Sequence, residues 1–187
     1  MKILVGLGNP GREYEHTRHN AGYDTLMILA GKTGIEPQKS KCRCRIGEGF
    51  FEGERLTLAW PETFMNLSGE AVVDLMNWYK AEPQDILILY DDIDLPFGKV
   101  RIRPFGGAGT HNGMRNILYL TGSDRFPRIR IGMGGCPPEW DLKDWVLSGY
   151  HTAEERQTAY DAFCLAADAA LCFVKDGIDL AMNRFNK

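Results

Sequence analysis

Apolar runs of strand length alternate along the chain with stretches whose apolar residues recur at helical spacing. Lys2–Leu7 is one such run, and Gly8-Asn9-Pro10-Gly11 ends it, which predicts a buried strand feeding a turn. From about Ala21 to Thr33, Leu26, Leu29 and Ala30 fall on one helical side, and Gly34 supplies a stop. Residues 43–52 and 55–60 predict two strands joined near Gly53, with Leu56, Leu58 and Trp60 alternating. A helix from about Ser68 to Tyr79 places Val72, Leu75, Met76 and Tyr79 together, and Ile86–Tyr90 suits a central strand. Val100–Arg103 and Ile129–Ile131 alternate apolar with basic, so each strand should bury one face and present arginines on the other. Residues 112–120 predict a helix between them. Thr152-x-x-Glu155 is a capping box opening a helix that runs to Lys175 and stops at Gly177, and 179–185 predicts a last short helix.

Helices recurring between strands, with no linker and no internal repeat, predict one α/β domain over 1–187. Its sheet should be mixed, mostly parallel and twisted, with α-helices on its faces. In open sheets of this kind, sites form beyond the carboxyl ends of the strands. That rule selects Asn9, just past the first strand, and Asp91, just past Ile86–Tyr90.

Composition adds exclusions. No charged N-region precedes an apolar stretch, and no window reaches the roughly 18 apolar residues of a membrane span, so a cytoplasmic protein without a membrane role is expected. The cysteines (Cys42, Cys44, Cys136, Cys164, Cys172) are odd in number, which argues against a disulfide framework. Cys42-x-Cys44 is too tight for the usual zinc spacing, and Cys164 and Cys172 suit core packing. The net charge of −3 conceals segregation. Residues 99–130 hold seven bases (Lys99, Arg101, Arg103, Arg115, Arg125, Arg128, Arg130) and one acid, Asp124, against an excess of acids elsewhere. Lys39, Lys41, Arg43 and Arg45 form a second basic stretch. Such segregation fits either a polyanion site or a solvated strand face.

Gly6-Leu7-Gly8-Asn9-Pro10-Gly11 matches the dinucleotide pattern, but Pro10 and the polar stretch 12–20 interrupt the helix that should follow, and the expected acid is missing. The turn instead needs backbone freedom at Gly8 and Gly11 and presents Asn9. His19 stands at the mouth of the first helix, as a cap, a surface residue or a base. Asp91-Asp92-Ile93-Asp94 follows the central strand, as a solvated loop, a divalent-ion site, or a carboxylate that fixes a histidine tautomer and raises its basicity. Asn66 and Asn112 stand at predicted helix starts, as N-caps or as amides that meet a developing oxyanion. No G-x-S-x-G elbow is present and no cysteine has an evident base partner, so a covalent nucleophile is not indicated.

GLGNPGREYEHTRHNAGY at 6–23, TFMNLSG at 63–69, DDIDLPFG at 91–98, GGAGTHNG at 106–113 and RIRIGMG at 128–134 together resemble the bacterial-type peptidyl-tRNA hydrolase family. The likeness runs from Lys2 to about Asn183. The resemblance implies hydrolysis, without cofactor or metal, of the ester between a peptide and the tRNA 3′ ribose. It implies His19 as base, held by Asp91, with Asn9, Asn66 and Asn112 positioning the substrate and polarising its carbonyl. Tyr14 and Met65 would line the same crevice, and Arg101, Arg103 and Arg130 would face tRNA phosphate. A monomer acting on peptidyl-tRNA is expected, with no C-terminal tail contributing beyond Arg184. Ala108 and Thr110 depart from the family pattern, which bears on how the glycine-rich loop fits over the crevice. Trp140 and Trp145 have no implied role beyond packing.

Two other classes remain in play. An RNA-binding adaptor that keeps this fold while catalytically silent, as in a chloroplast splicing factor, should bring a transit peptide and an added hydrophobic partner surface. An amidase or protease acting without tRNA is compatible with the same side chains, and the basic segment counts against it.

Overall fold

Ile3, Leu4 and Val5 are fully buried, because both faces of their strand are covered, and so the first apolar run shows no alternation. The structure, a computed structural model, describes residues 1–186. This strand, β1 (Lys2–Gly6), lies at the centre of a seven-stranded sheet ordered β2-β3-β4-β1-β5-β7-β6. The remaining strands are β2 (Lys39–Lys41), β3 (Cys44–Phe51), β4 (Glu54–Pro61), β5 (Ile86–Asp92), β6 (Val100–Arg103) and β7 (Arg128–Gly132). β4, β1, β5 and β7 pair in parallel, while β2, β3 and β6 join antiparallel at the two sides. Five strands therefore run one way, the mixed and mostly parallel sheet that the pattern predicts.

The helices are α1 (Ala21–Thr33), α2 (Ser68–Tyr79), α3 (Asn112–Thr121), α4 (Leu142–Val146), α5 (Ala153–Asp176) and α6 (Ile178–Phe185). One face of the sheet buries Leu4, Leu58, Leu87 and Ile129 against α1, α5 and α6. The other buries Val5, Ile88 and Ala59 against α2 and α3. The result is a three-layer α/β structure. Leu56, Leu58 and Trp60 do share one face, yet β4 is buried on both. No helix among the described residues is long and apolar enough to cross a membrane.

The start of α1 lies unusually close to the sheet. A Cβ on Gly22 would stand 2.3 Å from the Leu89 carbonyl oxygen and 2.4 Å from the Leu7 nitrogen, so only glycine fits. This approach brings the turn before α1 over the ends of β1 and β5, where the site forms. Of the two glycines expected to need backbone freedom, Gly11 does, at φ 115°. Gly8 instead lacks a Cβ because the Tyr23 ring would lie 2.6 Å from it.

Charge counting fares less well. Lys39 and Lys41 pair with Glu48 at 2.8 and 3.4 Å, and Arg43 pairs with Glu70 and, at 3.2 Å, with Asp74. The stretch 39–45 is thus largely answered by Glu48, close by on β3, and by Glu70 and Asp74 farther along the chain. Arg128 is 1% exposed. It donates to the carbonyls of Phe126 (3.1 Å), Gly107 (2.8 Å) and Asp124 (3.0 Å), pinning the glycine-rich loop rather than facing solvent.

Candidate active site

His19 sits in a single 3-10 turn, Arg18–Asn20, between β1 and α1. Asn20 precedes α1 but does not cap it. Its side chain accepts from the Asn9 N–H at 2.9 Å and donates to the Asn9 carbonyl at 3.0 Å. That pair of hydrogen bonds ties the turn after β1 to the turn bearing His19. The Asn9 side-chain oxygen accepts from the Met65 N–H at 2.7 Å. Its amide nitrogen is then left for the crevice that Asn9 lines. Phe64, just before Met65, holds φ 58°, ψ 156°, a region otherwise kept for glycine and costing about 1–3 kcal/mol. The strained turn aims the Met65 N–H at Asn9 and leaves Phe64 exposed, edge-on to Tyr14 at 6.3 Å.

Asp91, near the end of β5, is 2% exposed and serves two histidines. It accepts from His19 Nδ1–H at 2.8 Å and from His111 Nε2–H at 2.9 Å. His111 caps α3, its Nδ1 accepting the Met114 N–H at 3.2 Å. Having one nitrogen as acceptor fixes the other as donor, so the His111 tautomer is set. Asp91 likewise holds the His19 proton on Nδ1 and leaves Nε2 with its lone pair. Burial opposes charge on the His19 ring, but the Asp91 charge and hydrogen bond together outweigh it, so the His19 pKa lies above the ordinary histidine value. Burial also opposes charge on Asp91, and the two histidines override it, holding the carboxyl well below the usual range.

His19, Asp91 and His111 also form the one group among the described residues that could hold a metal ion, with ligand atoms within 4.8 Å of one another. The hydrogen bonding disfavours that use. A metal on His111 Nε2 would force the proton onto Nδ1, against the Met114 N–H, and would forfeit the cap. The acidic run 91–94, for which a divalent-ion site is one of three readings, does not converge among the described residues either. Asp92 accepts from Arg130 Nε at 2.5 Å and from the Asp94 N–H at 2.7 Å.

These residues floor a crevice of about 580 Å³. Tyr14, Met65, Asn66 and Asn112 line it, as do Ala108 and Thr110, and α4 walls one side. Neither Asn66 nor Asn112 is a cap: α2 is preceded by Leu67 and α3 is capped by His111. Both side chains are exposed, and Asn112 Oδ1 accepts from Arg115 at 3.2 Å. Their amide nitrogens face no protein acceptor among the described residues.

Arg101 and Arg130 are direct partners across β6 and β7, and Arg103 is exposed two residues on. All three project from the face opposite Ile102, Ile129 and Ile131, which α5 and α6 cover. Because Arg130 pairs with Asp92, Arg101 and Arg103 carry most of the free positive charge there. Sequence reasoning singled out His19, Asp91 and the asparagines, and the structure gathers Asn9, Asn66 and Asn112 round the His19–Asp91 pair. It missed His111 as the second donor to Asp91, and Asn20 as the clasp on Asn9. Both stand in the quoted motifs, and only distance in space reveals what they do.

Comparison with known proteins converges. The family model described as peptidyl-tRNA hydrolase matches residues 3–187. A peptidyl-tRNA hydrolase of Roseiflexus sp. (strain RS-1) is 50% identical over 187 residues, covering 100% of this chain and 86% of that protein. That of Alkaliphilus oremlandii is 48% identical over 186 residues, covering 100% of both. A crystal structure of peptidyl-tRNA hydrolase from Acinetobacter baumannii superposes with a TM-score of 0.92 at 36% identity, covering 100% of this chain and 94% of that one. Fold, crevice and relatives define an ester hydrolase of the three-layer α/β type. The chain belongs to the peptidyl-tRNA hydrolase family.

Proposed function

We propose that this enzyme hydrolyses the ester between a peptide, or an N-blocked aminoacyl group, and the 3′ ribose of tRNA. The observation that carries the reading is the buried Asp91 holding His19 Nδ1–H at 2.8 Å beneath a crevice edged by three asparagines. His19 Nε2 takes a proton from water, and the hydroxide attacks the ester carbonyl. The Asn66 amide N–H groups meet the charge developing on the carbonyl oxygen, with Asn9 and Asn112 fixing the peptide and the terminal adenosine. The tetrahedral intermediate collapses, the ribose oxygen leaves, and the proton on His19 Nε2 passes to it. Every proton is accounted for without a metal or cofactor. Tyr14 and Met65 supply apolar walls, and Arg101, Arg103 and Arg130 draw in acceptor-stem phosphates. The enzyme works as a single-domain monomer in the cytoplasm, returning tRNA from aborted translation.

The rival is an acyl hydrolase indifferent to RNA. Initial rates on N-acetyl-aminoacyl-tRNA and on the same acyl group esterified to a simple ribose separate the two. A large loss without the tRNA body is expected, and equal rates would remove tRNA from the reading.

A further inference from the structure

Arg18, the residue before His19, is 2% exposed, and nothing in the proposed chemistry uses it. Its guanidinium donates to Ser148 Oγ at 2.7 Å and to the Gly149 carbonyl, and lies 3.8 Å from Glu155. The guanidinium carbon stands 3.7 Å from the centroid of the Trp145 ring, against which Trp140 packs edge-on at 5.5 Å. The Arg18 backbone N–H also donates to the Ser148 carbonyl at 3.0 Å. Trp145 belongs to α4, and Leu142, Lys143, Val146 and Leu147 of that segment form one wall of the crevice. Yet α4 contains no buried residue of its own. The wall's hold on the molecule therefore runs through Trp145 and Ser148 to Arg18, in the same turn as His19. The Nε of Arg18 and the indole N–H of Trp145 are buried with no protein acceptor among the described residues.

We propose that Arg18 is a positioning residue that clamps the 141–149 wall at a fixed spacing from His19, with Trp145 as its stacking partner. The proposal rests on the reading of the crevice as the acyl-tRNA site. Acting through the wall, the clamp governs how the substrate is held and leaves proton transfer alone, because the His19–Asp91 contact lies outside it. Lysine cannot replace arginine here, since the clamp uses both the fork of donors and the flat face.

The test measures steady-state hydrolysis of N-acetyl-aminoacyl-tRNA together with hydrogen exchange at 141–149, in the wild type, Trp145→Ala, Trp145→Phe and Arg18→Lys. Trp145→Ala should raise KM about tenfold, the size of one desolvated cation–π contact. It should leave kcat within about twofold and the pH inflection unmoved, while exchange at 141–149 quickens and the α1 core stays protected. Trp145→Phe should restore most of KM, and Arg18→Lys should resemble Trp145→Ala. A purely structural role would lower thermal stability in all three variants with KM unchanged after correction for the folded fraction, and that would overturn the clamp. If the wild type fails to cleave the substrate, the crevice reading falls, and exchange still decides: unchanged protection at 141–149 in Trp145→Ala refutes the clamp.

Discussion

Asp91→Asn is the most informative single change, because one carboxylate serves two rings. In the native arrangement both histidine N–H groups point at it, His19 at 2.8 Å and His111 at 2.9 Å. An amide offers one acceptor oxygen and a donor NH₂, so one ring must face a donor. His111 resists, since its Nδ1 already accepts the Met114 N–H. His19 must yield: it flips its proton to Nε2 to accept from the new amide, and the crevice-facing nitrogen ceases to be a base. The loss of the correct tautomer lowers kcat by about 10³–10⁴-fold. The pH dependence carries the same logic. A base works when neutral, so kcat/KM should rise with pH and level off above the His19 pKa, which lies above the ordinary 6.5. Removing Asp91 leaves burial unopposed, and the inflection of any residual activity should fall below 6.5. Folding stability has its own signs. The raised His19 pKa contributes stability that is full below 6.5 and lost as pH rises through the folded value. The lowered Asp91 pKa contributes stability present above 3.8 and lost as pH falls through the folded value. The variant should therefore lose most stability between those two values. Single-turnover hydrolysis across pH, with urea titrations alongside, reads all three effects. A loss below tenfold with an unmoved inflection would refute the assignment of Asp91.

Other changes separate the remaining parts. His111→Ala removes the α3 cap and one donor to Asp91, costing about 1–3 kcal/mol by urea unfolding. It should move the activity inflection upward, opposite to Asp91→Asn, because the less satisfied carboxylate pulls harder on His19; an unmoved inflection would count against the shared carboxylate. Arg101→Ala should reduce the slope of log K for tRNA against log salt by about 0.9. Arg128→Ala should leave that slope alone and lower stability instead, since Arg128 bonds three carbonyls inside the fold; a reduced slope there would place Arg128 at the RNA. Gly22→Ala has no room for its methyl group and should cost about 1–3 kcal/mol or more as α1 lifts; an unchanged urea midpoint would contradict that packing.

Period and punctuation carry most of the fold. Ala21–Thr33 and Ser68–Tyr79 form helices with the predicted bounds, because apolar spacing is a local signal, joined in the first helix by the left-handed stop at Gly34; the left-handed Lys80 that ends the second has no sequence signal. β2, of three residues, is too short for a pattern and exists by pairing with β3. α4 spans only five residues, too few for the spacing of Leu142, Trp145 and Val146 to be read as a helix. The strand-end rule finds Asn9 and Asp91, since topology alone puts them at the crevice. The cap expected at Asn112 falls instead to His111, one residue earlier; the second bond of His111 crosses 20 residues of sequence to Asp91 and leaves no local trace. Charge patterning fails for a similar reason. Arg128 alternates with apolar neighbours just as Arg130 does, and only the glycine-rich loop folded over it makes it internal.

The most direct measurement is release of an N-acetyl-aminoacyl group from tRNA by the purified protein in EDTA, with His19→Ala as control and tRNA affinity measured in parallel. Metal-independent release that disappears in His19→Ala, with tRNA still bound, is the expected result. Release surviving in His19→Ala, or bound tRNA that the wild-type protein never cleaves, would contradict His19 as the base, and the second result would favour an RNA-binding adaptor.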